Sequence, residues 1–240
     1  MTITQPDSYL EAIHSGKRLS VRRRNFLDFL GANRDWFGDS IVEVGAGAPD
    51  FLVRAPFSAK TAIDVDDYYR KEFEKEDIRF LVLDLNDAQP AGLGPFDVAI
   101  CSDVFEHLLW PSKALETLAA WLGEGGVLLS HVPNEFRLKK TLKVMFGMSE
   151  GIGFHKGMRE WNDPHLRRFT DRGYRCFLET CFRNNYRLSA LYPSGQQKRF
   201  RLVGLEAPFC LQPGPTYLST NDDGLARKFR EKYARHRRYF

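Results

Sequence analysis

The chain has 240 residues, of which 43% are hydrophobic and 28% charged, with a formal net charge of +4. These values are ordinary for a globular protein with one sizeable core. No apolar stretch approaches the roughly 20 residues of a membrane span, the N-terminus lacks the order of a secretory signal, and the four cysteines show no metal-ligand or disulfide spacing. We therefore expect a cytoplasmic protein in a reducing environment.

The first two thirds of the chain predict a helix followed by alternating strands and helices. Residues 8–37 carry apolar residues at helical spacing, and Arg22, Arg23 and Arg24 lie between them. Five apolar or β-branched runs predict strands at 40–44, 61–66, 78–85, 96–103 and 125–134. Helices are expected between them at 49–57, 67–75 and 110–126. Nearly all-apolar strands separated by helices indicate an α/β fold with a parallel sheet buried on both faces.

The remainder of the chain departs from this alternation. We interpret residues 135–164, which combine basic residues, glycines and aromatics, as an inserted lid that is helical or irregular. A helix is expected at 171–185, followed by an antiparallel hairpin made of 186–193 and 199–206 around the turn "SGQQK". The predicted division is an N-terminal helical segment (1–37), a main domain (38–206) and a C-terminal extension (207–240).

The C-terminal extension is strongly basic. From Arg227 to Arg238 there are seven Lys or Arg and one Glu, so this segment carries +6 and the rest of the chain −2. Such a helix could contact nucleic acid, an anionic membrane surface or an acidic partner. Leu225, Phe229 and Tyr233 recur every four residues, and this spacing favours a surface helix that docks through one apolar stripe.

Acidic residues lie where each of the first four predicted strands ends. Glu43 precedes a glycine turn at 45–47, and Asp64, Asp84 and Asp103 follow at intervals of 19 or 20 residues. In an open α/β sheet, ligands bind beyond the carboxyl ends of the strands, so these side chains should converge on one crevice. Asp64 could accept hydrogen bonds from both hydroxyls of a ribose, and Asp84 from the amine of an adenine. A lone Asp at a strand end would more often be a helix cap, but four at matched positions favour a ligand.

The glycine turn differs from one that binds a dinucleotide. A dinucleotide fold places a pyrophosphate at the helix N-terminus and uses a third glycine for close packing. Here Ala48 and Pro49 follow the two glycines, Pro49 supplies no backbone N–H, and Glu43 lies close by. Proline suits the first turn of a helix, so Pro49 is expected to begin one. The turn therefore favours a ligand without phosphate.

With these residues in place, the chain resembles a class I S-adenosylmethionine-dependent methyltransferase of the small-molecule branch that includes quinone-biosynthesis enzymes. The likeness runs from about residue 38 to 206 and rests on six segments in order: "VEVGAGAPDF", "AIDVD", "VLDLND", "FDVAICSDVFEHL", "LGEGGVLLSHVPN" and "HLRRFT". Two departures are Ala48-Pro49 in place of the third glycine and Glu124 in place of a proline before strand five.

The resemblance implies a fold and a set of site residues. It implies a Rossmann-like, seven-stranded, mostly parallel sheet with helices on both faces and an antiparallel C-terminal hairpin. It also implies S-adenosylmethionine as cofactor and no metal. The implied cofactor-binding residues are Glu43, Gly45, Ala46, Gly47, Asp64, Val65, Asp84, Leu85 and Asp103. Glu106 and His107, in the fourth-strand segment, match the family as well, with either a functional role or a structural role in the loop after strand four.

The expected reaction is an in-line displacement that transfers a methyl group to an oxygen or nitrogen of a small molecule, a glycan or a lipid-linked metabolite. An oxygen acceptor of high pKa also needs a general base, for which His131, His155 and His165 are the candidates. Two alternatives stay open. One is an RNA methyltransferase that uses the basic N- and C-terminal segments, although no RNA-binding module is visible. The other is a non-catalytic module that keeps the fold.

Overall fold

The computed structural model describes residues 19–87, 92–148, 165–202 and 205–239. Within these residues, the strands are β1 (Ser40–Val44), β2 (Ala59–Asp64), β3 (Arg79–Val82), β4 (Phe96–Ser102), β5 (Leu122–His131), β6 (Asn184–Arg187) and β7 (Thr216–Thr220). The helices are α1 (Val21–Ala32), α2 (Asp50–Arg54), α3 (Arg70–Lys75), α4 (Pro111–Trp121), α5 (Leu138–Met145), α6 (Asp171–Leu178), α7 (Gly195–Leu202) and α8 (Asp223–Lys232). Short 3-10 turns lie between several of them.

The strands form one seven-stranded sheet in the order β3-β2-β1-β4-β5-β7-β6. The first five strands pair in parallel, and β7 pairs antiparallel with both β5 and β6. The chain order reverses between β1 and β4, and their carboxyl ends therefore border the switch-point crevice where ligands bind in such sheets. The predicted fold class is confirmed.

Helices cover both faces of the sheet because alternate strand residues point to opposite sides. Ile41 belongs to a buried cluster that includes side chains of α1, α2, α3 and α8, whereas its neighbour Val42 belongs to a cluster with side chains of α4 and α6. Both side chains are fully buried. Burial on both faces explains why the strands are apolar without alternation.

The predicted C-terminal hairpin was wrong in its position. Strand β6 pairs with β7 at 216–220, and residues 195–202, expected as the second strand, form helix α7. Two reciprocal hydrogen bonds begin this helix: Gln197 N–H donates to Ser194 Oγ at 3.3 Å, and Ser194 N–H donates to Gln197 Oε1 at 2.8 Å. This is the S-x-x-Q capping box, and the Gln, Lys, Arg and Leu residues that follow favour a helix. Residues 207–240 therefore supply an internal strand as well as the basic helix.

The basic helix α8 docks through its apolar stripe, as its spacing predicts. Phe229 is fully buried, and its ring stacks on that of Tyr186 at a centroid distance of 4.5 Å. Phe29 of α1 lies 6.1 Å from Phe229 and 6.2 Å from Tyr233. The two terminal helices of the described chain thus pack on each other and on the same face of the sheet.

Two predicted regions lie partly outside the described residues. The N-terminal helix is described from α1 onward, so positions 8–18 of that prediction are not covered. The lid prediction is covered only to residue 148, where α5 forms a short helix whose residues are not buried. Among the described residues, no helix combines the length and apolarity needed to span a bilayer.

Candidate functional site

The glycine turn after β1 has the shape of a ligand cradle. Gly45 and Gly47 have φ angles of +64° and +56°, in the left-handed region that favours glycine. A Cβ at Gly45 would lie 2.5 Å from Val104 Cγ2, so no side chain fits there, whereas a Cβ at Gly47 would meet open space. Ala46 is buried, and its N–H donates to Ile63 O of β2 at 3.2 Å. The turn is therefore fixed on one side and open on the other.

Asp64, at the end of β2, is hydrogen-bonded to this turn. Its Oδ2 accepts from the backbone N–H of Gly47 at 2.8 Å, and its Oδ1 accepts from the N–H of Val65 at 2.7 Å. Burial raises the pKa of Asp64 despite these donors. The predicted ribose-binding carboxylate and the second glycine are thus neighbours, although Val65 itself is exposed.

Glu43 lies beneath the turn and is paired with a residue of α1. Its side chain is 1% exposed, and Arg23 Nη2 lies 2.8 Å from its Oε1. The same Arg23 nitrogen donates to Ala46 O at 2.8 Å. Burial raises the pKa of Glu43 to about 7, although the Arg23 charge lowers it. Arg23 therefore ties α1 to both the strand end and the turn, a role that sequence reasoning missed.

Asp84 and Leu85 lie beyond β3 and border the loop after β4. Asp84 Oδ1 accepts from the backbone and the side-chain N–H groups of Asn86, both at 2.9 Å. Asn86 Oδ1 in turn accepts from Leu109 N–H at 2.8 Å. Leu85 is buried in the core. The carboxylate is thus oriented by its own loop at the carboxyl edge of the sheet.

Asp103, immediately after β4, links three elements. Its backbone has a φ of +58°, and its N–H donates to His131 O of β5 at 3.0 Å. Its side chain, 32% exposed, forms an ion pair with Arg22 of α1 through Oδ2, and its Oδ1 lies 3.6 Å from His131 Nε2. A non-glycine residue held at positive φ by such contacts is a feature of functional sites.

The three candidate histidines differ in their placement. His131 is fully buried, its Nδ1 lies 2.8 Å from Thr216 Oγ1, and burial holds its pKa well below the usual value. His165 is partly exposed, and its Nδ1 lies 3.2 Å from Glu135 Oε1. The Glu135 carboxyl has a pKa lowered to about 2 by the His165 and Lys140 contacts. His155 lies outside the described residues.

Glu106 and His107 form a second acidic and imidazole cluster with His165. Glu106 is buried, burial raises its pKa to about 8, and its backbone O accepts from Arg167 N–H at 3.0 Å. The ligand atoms of Glu106, His107 and His165 lie within 4.8 Å of one another, a spacing that could hold a metal ion. The absence of a metal therefore stays a prediction.

The site residues fit S-adenosylmethionine. An open glycine turn admits a ligand close to the backbone, Asp64 presents a carboxylate at the edge of that turn, and the carboxyl groups of Glu43 and Asp103, each paired with an arginine of α1, lie at the same edge of the sheet. Glu43, Gly45, Gly47, Asp64 and Asp103 are thus brought to the ends of β1, β2 and β4. Their roles in binding remain predictions.

Structural comparison finds the same fold in other proteins. A S-adenosylmethionine-dependent methyltransferase from Clostridium acetobutylicum aligns with a TM-score of 0.59 and 11% identity, covering 90% of this chain and 96% of that one. Magnesium protoporphyrin IX methyltransferase from Synechocystis, with bound S-adenosylhomocysteine, aligns with a TM-score of 0.53 and 14% identity. The alignment covers 89% of this chain and 93% of that one. A possible histamine N-methyltransferase from Thermotoga maritima aligns with a TM-score of 0.52 and 14% identity, covering 84% and 100%. At these identities the likeness shows the fold.

The sequence itself matches a family model. No curated protein matches the chain. The model of a methyltransferase domain matches residues 14–184, which include the glycine turn, the four acidic strand ends and the Glu106–His107 pair. The match covers well over half of the chain. The chain therefore belongs to this methyltransferase-domain family, which confirms the predicted enzyme class and, with it, S-adenosylmethionine as cofactor.

Proposed function

We propose that the chain transfers a methyl group from S-adenosylmethionine to an oxygen or nitrogen of a small molecule, a glycan or a lipid-linked metabolite. The observation that carries this proposal is the hydrogen bond between Gly47 N–H and Asp64 Oδ2, which joins the open turn to a carboxylate suited to a ribose. The cofactor supplies an electrophilic methyl group when bound.

Two arginine–carboxylate pairs lie around the turn. Glu43 is buried beneath it, and Asp103 lies at the end of the adjacent strand β4. Each is paired with one arginine of α1, which holds its side chain in place. Arg23 and Arg22 balance the charges of these two groups, so the pairs hold the ends of β1 and β4 beside the turn, and Asp64 supplies the carboxylate that accepts from the ribose in this proposal.

His165 is the candidate base that the structure best supports. Because the pKa of Glu135 is lowered to about 2, its carboxylate is ionised at neutral pH and can only accept a hydrogen bond. The proton of a neutral His165 is then held on Nδ1, 3.2 Å from Glu135 Oε1, and the basic lone pair is on Nε2. A base oriented by a carboxylate is a recurring arrangement in general base catalysis.

His131 has a different role in this proposal. Its full burial and lowered pKa keep it neutral, and its ring spans from Thr216 of β7 to Asp103. We assign it to positioning Asp103. The proton-accepting role predicted for His131 is the less favoured of the two.

The contacts of the arginine cluster favour a small acceptor over RNA. Arg22 and Arg23 form ion pairs with Asp103 and Glu43, so these two charges serve the site and not a phosphate backbone. The basic helix α8 is docked by Phe229 and its neighbours. Steeply salt-dependent binding of RNA would revive the RNA alternative.

Calorimetry with S-adenosylmethionine tests the proposal against the non-catalytic alternative. We expect binding in the micromolar range, and no binding at about 1 mM would refute the proposal. The acceptor is then sought by incubating the protein with methyl-labelled cofactor and fractionated cell extract. A labelled small molecule, glycan or lipid supports the proposal, whereas label confined to RNA contradicts the acceptor class.

A further inference from the structure

A cavity of about 730 Å³ opens beside the methyl-transfer site. It is bounded by the N-terminal turn of α1, the segment from 188 to 194, Lys198 of α7, and the loop that leads into β7. This volume lies within the range of small-molecule sites, roughly 300–1,000 Å³.

Two residues connect the cavity to Asp103. Arg22 lines the cavity and also forms the ion pair with Asp103. Thr216 lines it as well, and its Oγ1 lies 2.8 Å from Nδ1 of His131, whose Nε2 lies 3.6 Å from Asp103 Oδ1. Arg22 and Thr216 therefore lie between the cavity and Asp103, which follows β4, where the proposed methyl transfer takes place.

Gly214 allows this wall to form. A Cβ at Gly214 would lie 2.1 Å from Val132 O and 2.6 Å from Cε1 of His131. Real Cβ atoms do not approach backbone so closely, so only glycine lets the loop before β7 lie against the His131 ring. The loop is therefore in close contact with the ring at Gly214, where it also borders the cavity.

The charged side chains that line the cavity are basic. Its described lining includes Arg22, Arg137 and Lys198 and no carboxylate. Arg22 is neutralised by Asp103, but the side chains of Arg137 and Lys198 form no ion pair with any residue that the structure describes. Lys198 lies in the first turn of α7, whose N-terminal dipole adds to the positive potential.

The rest of the lining is apolar or hydroxylic. Phe26, Leu191 and Tyr192 provide an apolar wall, and Ser189 and Thr216 provide hydroxyl groups. A ligand that matches this surface has an apolar or aromatic body and one anionic group.

We infer that this cavity binds the methyl acceptor and that the acceptor is an organic anion, with its carboxylate or phosphate held by Arg137 and Lys198. The inference rests on the proposed function and names the substrate class of that same site. The acceptor's reactive atom would lie toward Arg22, the lining residue that contacts Asp103. Charge-assisted hydrogen bonds from two cations stabilise such an anion more strongly than neutral contacts would.

The experiment uses three aromatic probes of similar size: phenyl phosphate, benzoate and neutral phenol. Binding of each to the full chain, in the presence of excess S-adenosylhomocysteine, is measured by calorimetry at fixed ionic strength. The test variant is Arg137→Gln/Lys198→Gln. The matched control is Lys139→Gln/Lys143→Gln, which removes the same charge from exposed positions of α5 that do not line the cavity.

We expect an anionic probe to bind the wild-type chain more tightly than phenol does. Its affinity should fall about tenfold or more in the test variant and stay unchanged in the control. If phenyl phosphate binds more tightly than benzoate, the anionic group of the acceptor is assigned as a phosphate. If benzoate binds more tightly, that group is assigned as a carboxylate. Equal binding of phenol, equal weakening in the control, or no binding of either anion would overturn the inference.

Affinity for S-adenosylhomocysteine separates this inference from the proposed function and also reports on folding of the variants. If the wild-type chain binds the cofactor product but neither anion, only the assignment of the cavity fails. If it does not bind the cofactor product, the proposed function itself fails.

Discussion

The carboxylate of Asp64 and the backbone N–H of Gly47 form a hydrogen bond of 2.8 Å across the carboxyl edge of the sheet. The two residues belong to different strand ends, yet they fix each other before any ligand arrives. A carboxylate held in this way loses little conformational freedom on binding, which favours affinity.

The first prediction concerns this contact. Asp64→Ala should weaken binding of S-adenosylhomocysteine by about 10- to 100-fold. The variant loses both a charged hydrogen-bond acceptor for the ligand and the hydrogen bond to Gly47 N–H. Calorimetry measures the change. Asp67→Asn, a change at an exposed position three residues away, is the control and should bind normally. An unchanged affinity in Asp64→Ala would mean that the ribose site lies elsewhere.

The second prediction concerns the buried pair of Arg23 and Glu43. Arg23→Gln should destabilise the fold by about 2–4 kcal/mol, since it leaves a buried carboxyl without its cation. The double variant Arg23→Gln/Glu43→Gln should recover part of the stability that Arg23→Gln loses. Urea unfolding of both single variants and the double variant gives the coupling energy. Strictly additive effects would show that the two side chains do not interact.

The third prediction is a pH dependence of stability. Burial raises the pKa of Glu43 from 4.5 to about 7, so between these values the folded chain holds a proton that the unfolded chain has lost. This contribution to the free energy of unfolding is therefore fully present below pH 4.5 and is lost as the pH rises through about 7.

Glu43→Gln should flatten this decline, measured as urea unfolding at several pH values between about 5 and 8. Glu106, whose pKa is raised to about 8, acts in the same direction, whereas His131, whose pKa is held well below its usual value, acts in the opposite direction, so the variant is compared with the wild-type slope. Glu116→Gln, at an exposed position of α4, is the control and should keep the wild-type slope. A wild-type slope in Glu43→Gln would contradict the raised pKa.

The fourth prediction concerns His165 and Glu135. His165→Ala should lower kcat by about 10²- to 10⁴-fold toward an oxygen acceptor while leaving affinity for S-adenosylhomocysteine unchanged. Glu135→Gln keeps the shape of the side chain but removes its charge. It should lower the apparent pKa of the base in the pH profile of kcat, and it should reduce kcat less than His165→Ala does. Transfer of labelled methyl measures both. Full activity of His165→Ala would exclude this base.

The fifth prediction concerns the beginning of α7. Ser194→Ala should destabilise the fold by about 1 kcal/mol, because it removes the acceptor for Gln197 N–H. Ser194→Thr keeps a hydroxyl group and should destabilise the fold less than Ser194→Ala does. Thermal or urea unfolding measures both variants. Equal stability of Ser194→Ala and the wild type would show that the capping box contributes nothing.

Local pattern determined much of this architecture. Apolar runs that stop at Gly45, Asp64 and Asp103 specify parallel strands with a functional edge, because carboxyl ends of such strands meet at one crevice. Pro49 precedes α2 as expected, since its fixed φ suits a helix start. The hairpin prediction was wrong because the Ser194–Gln197 capping box begins a helix, although the aromatic and aliphatic residues near 200 are also compatible with a strand.

The sequence by itself determined the α/β fold and the acids at the strand ends, which follow from short-range periodicity and spacing, and it determined the family through its match to a family model. Only the tertiary structure decided what each side chain contacts. Arg22 and Arg23 were read as a basic cluster, but α1 packs where they meet Asp103 and Glu43, 81 and 20 positions away. His131 is one of three candidate bases in the sequence, and the pairing of β7 with β5 places it fully buried against Thr216. Contacts between residues far apart in the chain depend on how the elements pack, which local sequence pattern does not encode.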